Sequence, residues 1–166
     1  MKTIFRLLCL AAILSAGNAW ADPTDARQKV DYPDEVKAKF LANMRDHLES
    51  LADIAEALSQ AQYARAADIA DTELGMNSQG ATACRPSAQG KSMHPMMDGA
   101  GQDHLMAQRM PAEMRKLGQN MHRAANEFAE VARKAEQPSG SPAAASAALG
   151  NVIKQCTICH AAFRVN

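Results

Sequence analysis

Close to the C-terminal end of the chain stand Cys156, Thr157, Ile158, Cys159 and His160. Two thiols and an imidazole at i, i+3 and i+4 share one face of a helix. That spacing suits thioether bonds to two vinyl groups on adjacent edges of one porphyrin, with the imidazole rising beneath its iron. C-x-x-C-H is the haem c attachment sequence, and a neutral imidazole supplies the fifth iron ligand. The expectation is one covalently attached haem c, held by Cys156 and Cys159, with His160 as an axial iron ligand. A thioredoxin-like pair would need a βαβ setting, and no strand pattern is visible. A zinc site would need a second Cys/His pair at suitable spacing, which is missing.

A porphyrin needs walls, and the sequence supplies helices. It is rich in Ala and poor in aromatic and β-branched residues, a balance that favours helix over strand. A first helix is expected over residues 33–58, with Pro33, Asp34 and Glu35 in its opening turn. Its apolar stripe is Phe40, Met44, Leu48, Leu51, Ala55 and Leu58, at steps of four and three. A second, shorter helix spans 63–74 and stops at Gly75. A third covers 111–136, entering early from His104 with a kink at Pro111. The fourth starts with Ser141 as N-cap and Pro142 at its first position, and reaches Phe163. The fold class expected is all-α, an antiparallel up-down-up-down four-helix bundle around the haem.

Residues 1–21 read as a signal peptide. Lys2 and Arg6 precede an apolar run over 7–14 and an Ala19-Trp20-Ala21 cleavage site. The run is shorter than the ~20 residues a bilayer span requires. Cleavage leaves one domain, 22–166, expected in the periplasm and without a membrane span. The chain carries 18 basic and 18 acidic residues, so it has no basic footprint for nucleic acid. Of four cysteines, Cys9 leaves with the signal and Cys84 stands alone, so there is no disulfide framework.

The C-terminal placement of the motif, on the last of four helices, resembles the class II c-type cytochromes: cytochrome c-prime and its low-spin six-coordinate relatives. The resemblance covers residues 33–166 apart from a Met-rich loop at 76–103. It implies a sixth iron ligand from the first helix, and aligning the stripes places that methionine on Met44, with Leu51 and Ile54 on apolar positions after it. The family often carries an arginine one turn earlier, near a haem propionate; here that position is Phe40, and Lys37 or Arg45 would have to stand in. Met114, Leu41 and Phe40 compete with Met44 for the space facing the iron. The family's basic residue four after the ligand histidine falls on Arg164, and Phe163 is expected against the haem or the first helix. Class II relatives often dimerise, so a homodimer is consistent with the resemblance.

His47 and His122 lie beside apolar stripes and read as partly buried histidines, which leaves bis-histidine ligation as a lesser alternative. Met93, His94, Met96, Met97, His104, Met106 and Met110, with Cys84 nearby, offer soft thioether and imidazole donors of the kind copper accepts. The plainer reading is a flexible insertion whose last methionines pack the core.

No catalytic carboxylate pair or nucleophile elbow is visible, so an enzyme is not expected. The expected function is one-electron transfer to transient redox protein partners, because a His/Met-ligated haem cycles between oxidation states without binding substrate. An open sixth position would instead bind nitric oxide or carbon monoxide. A third reading makes the Met/His-rich loop a copper-binding module.

Overall fold

The computed structural model describes residues 25–85 and 99–165. The signal-peptide expectation, and Met93, His94, Met96 and Met97 of the Met-rich loop, lie outside them. The described chain is mostly helical. It runs β1 (Gln28–Val30), α1 (Asp34–Ser59), α2 (Tyr63–Ile69), α3 (Gly99–Arg109), α4 (Ala112–Ala135), α5 (Pro142–Ala162) and β2 (Phe163–Val165).

The helix boundaries have local causes. Asp34 and Glu35 occupy the first turn of α1, where carboxylates meet the positive end of the dipole. The exit from α1 turns on Ala61, whose φ of 55° is left-handed. Gln62 N–H then donates back to the Ala57 carbonyl at 2.8 Å. No Gly or Asn announces this turn. α2 does not stop cleanly: it widens into a π-helical turn over Ala70–Leu74 before Gly75, which is extended. In α5, Ser141 Oγ accepts from Ala144 N–H at 3.2 Å and Pro142 takes the first position, as expected of that pair.

Two expectations need correction. The stretch 76–103 is not wholly irregular, because Thr82–Cys84 forms a 3₁₀ turn and α3 begins at Gly99. Phe163 is not the last residue of a helix. It opens β2, which pairs in parallel with β1, register Lys29 to Arg164. Three residues are too few for an alternating pattern to show in sequence. The pair forms because the chain ahead of α1 brings Val30, opposite Val165, into the same buried cluster as Phe163.

α4 makes its largest contact with α5, and α2 packs on both α1 and α4. Two apolar clusters result. In the first, Ile54, Leu74, Phe128 and Val152 sit among fully buried alanines of α1, α2 and α4. Small side chains there let helix backbones approach closely. The second lies under the strand pair and includes Val30, Tyr32, Cys84, Met106, Met110 and Phe163. A nearly dry ion pair, Lys39 Nζ to Asp103 Oδ1 at 2.7 Å, ties α1 to α3.

Candidate cofactor site

Between the two clusters opens a cavity of about 660 Å³, within the ~300–1,000 Å³ range of cofactor sites. Cys156, Cys159 and His160 line it from α5. Their spacing puts them on one helix face, and the two thiols meet different cores. Cys156 packs against the first cluster, and Cys159 against the second. Both thiols are half-buried, whereas His160 is exposed. The motif therefore faces an open-sided cavity rather than a closed interior.

From α1 the wall receives Phe40, Leu41, Met44 and His47, then Leu48 and Leu51. Met44 thus shares the cavity with His160. Arg45, one of the residues considered for a haem contact, is exposed and outside the lining. Met106, Met110, Met114 and Met121 face the cavity from the α3–α4 side, and all four are buried. Of the Met/His-rich residues, Met106 and Met110 therefore pack core and cavity wall. His104 Nε2 is instead 2.8 Å from Gln108 Nε2. Phe163 and Arg164 line the mouth from β2.

Burial sets the protonation of the site. It pushes the Cys156 and Cys159 thiols up, and Cys159 is raised further by Cys156. Both are thiols at neutral pH. Cys84, in the cavity wall, is pushed up to about 11 by burial. His47 is pushed down to about 4, by burial first and by His122 second. His122 is also lowered by burial, against the hydrogen bond it makes to the Leu74 carbonyl at 2.6 Å. His47 Nε2 is buried with no hydrogen-bond partner, an uncommon state for a polar atom that a native site has reason to retain.

The mouth carries the charge. Asp25 Oδ1 accepts from Arg27 N–H at 3.1 Å and Nε–H at 2.9 Å, and Oδ2 accepts from Nη2–H at 2.8 Å. Arg27 holds the Asp25 carboxyl down to about 2. Arg164 Nε stands 3.3 Å from the same carboxylate. Sequence reading missed Asp25, Arg27 and Gly80 as lining residues. No local pattern marks them, because it is the β1–β2 pairing and the turn after α2 that bring them here.

These residues fit a haem. The cavity is large and mainly apolar, and two thiols and an imidazole stand on one wall, with the Met44 thioether on another. Among the described residues, no group of three or more His, Cys, Asp or Glu side chains could hold a bare metal ion. No helix among them is long and apolar enough to cross a membrane. In comparisons with known proteins, no family model, no curated protein and no solved structure matches the chain.

Proposed function

We propose that this chain is an exported mono-haem c-type cytochrome of the four-helix-bundle kind, acting as a one-electron carrier. One observation supports this above the rest: Cys156, Cys159, His160 and Met44 line a single apolar cavity. When bound, the haem supplies a ferric/ferrous couple. The protein's own contributions follow from the residues. Cys156 and Cys159, as thiols, are the attachment points, each seated against a different core. His160 is the proximal ligand and Met44 the distal one, and a thioether at that position raises the potential. The apolar wall of Leu41, Leu51, Met114 and Met121 keeps water and counter-charge away from the iron, and neutral His47 and His122 add none. The open side, where His160 is exposed and Leu48 is 68% exposed, is where a redox partner would approach.

The test is an absorption spectrum of protein matured in a haem-loading host, in both oxidation states. The expected ferric spectrum is low-spin with a sulfur-to-iron charge-transfer band, and Met44→Ala converts it to high-spin. A high-spin wild-type spectrum selects the five-coordinate, gas-binding alternative. A colourless protein with the mass of the bare polypeptide rejects the haem reading altogether.

A further inference from the structure

The cavity is mainly apolar, and among the described residues the arginines that line it, Arg27 and Arg164, stand together at the mouth. There, two guanidiniums share one carboxylate. Asp25 takes three hydrogen bonds from Arg27, and Arg164 faces it at 3.3 Å. The Arg164 Nε is buried and finds no well-aligned acceptor. Arg27 also donates from Nη1 to the His160 carbonyl, at 3.4 Å. The cluster of Asp25, Arg27 and Arg164 therefore keeps one positive charge in excess, with a buried donor to spare, directly beside the motif. Two elements hold it: the segment ahead of α1 carries Asp25 and Arg27, and β2 carries Arg164, with β1 and β2 in parallel register.

We propose that Arg27 and Arg164 are the positioning residues for the carboxylate edge of a tetrapyrrole, and that Asp25 holds their place until those carboxylates arrive. The inference rests on the haem reading above. A tetrapyrrole is a flat apolar disc with anionic groups on one side. Its apolar part matches the cavity wall, and its carboxylates need planar bidentate donors, which arginine provides. Asp25 is itself a carboxylate in contact with both guanidiniums. The two guanidiniums then exchange one shared carboxylate for those of the ligand, and Asp25, partly exposed at the mouth, is released to water.

The experiment uses the processed full-length chain made without haem attachment, titrated with zinc mesoporphyrin and with its dimethyl ester while porphyrin fluorescence is followed. Mesoporphyrin lacks vinyl groups, so the thiols cannot capture it. The wild-type chain should bind the diacid about tenfold more tightly than the diester, the scale of one or two charge-assisted contacts at a solvated rim. Arg27→Gln should cut that preference severalfold, and Arg27→Gln with Arg164→Gln should abolish it, while diester affinity stays unchanged. Arg27→Lys should restore only part, because the charge returns without the fork. Asp25→Asn should strengthen diacid binding. Unchanged helical circular dichroism excludes loss of fold as the cause, since Arg27 is exposed. Equal affinity for diacid and diester in the wild type, or an undiminished preference in the double variant, would overturn the proposal. Failure to bind either porphyrin would instead count against the haem reading itself.

Discussion

The rings of His47 on α1 and His122 on α4 meet edge to face, with centroids 5.5 Å apart and planes at 82°. Both line the cavity, and burial keeps both neutral. An unfolded histidine titrates near 6.5, whereas His47 in the fold stays unprotonated down to about 4. Between those values unfolding takes up a proton, so acid favours the unfolded chain. Stability should be full above pH 6.5, fall as pH drops toward 4, and level off below. His47 alone accounts for up to about 3 kcal/mol of that loss, and His122 adds in the same direction. Urea melts at pH 7.5 and 5 check this. His47→Asn should flatten the slope, and an unchanged slope in that variant would show that the acid sensitivity lies elsewhere.

Gly80 sits against the tip of the same ring. A Cβ placed there would fall well inside van der Waals contact of His47 Nε2. Gly80→Ala should therefore destabilise by about 1–3 kcal/mol, the usual scale of overpacking. Adding His47→Ala should recover most of it, because the clash has a single partner. A cycle of the four proteins measures the coupling, and strict additivity would show that Gly80 is needed for some other reason.

Two substitutions should stabilise. Ala61 holds a φ of 55°, a conformation that costs an alanine about 1–2 kcal/mol and a glycine almost nothing. Gly150 lies inside α5 and is exposed, and a methyl group added there would meet no atom within 4 Å. Ala61→Gly and Gly150→Ala should each gain about 0.5–1 kcal/mol. The two sites share no partner, so the gains should add in a thermal melt. A lower melting temperature for Ala61→Gly would mean that its methyl group does packing work.

Arg115, nearly buried, donates from Nη2 to the carbonyls of Ala107 at 2.7 Å and Met110 at 2.9 Å. These are end-of-helix acceptors of α3 that α3 itself cannot satisfy. Arg115→Met should cost about 2–3 kcal/mol. The loss should be local first, with the amides of α3 exchanging faster while those of α5 are unchanged. Uniformly faster exchange would contradict this assignment.

How far the sequence could be read depended on whether a signal was local. The stripe from Phe40 to Leu58 and the Ser141-Pro142 start repeat on the scale of one helix, so α1 and α5 were legible to within a residue or two. The haem proposal rests on the spacing of Cys156, Cys159 and His160, a signal contained within five residues. Met44 could be named only through the family resemblance, and the structure places it on the cavity wall. By contrast, Ala61 turns the chain with no turn residue, because the contacts of Ala57 and Ala66 override a local preference. The mouth of the site was invisible. Asp25 and Arg27 reach Arg164 through strand pairing across almost the whole described chain, and no window of sequence contains both sides of it.

That pairing also shapes how the molecule forms. Helical proteins fold quickly because most of their contacts are between near neighbours in sequence. Joining Lys29 to Arg164 closes a loop of nearly the entire domain, an entropic cost that no single helix can offset alone. The ring can shut only after α1, α4 and α5 have assembled, so it should be the last part to settle and the first to loosen.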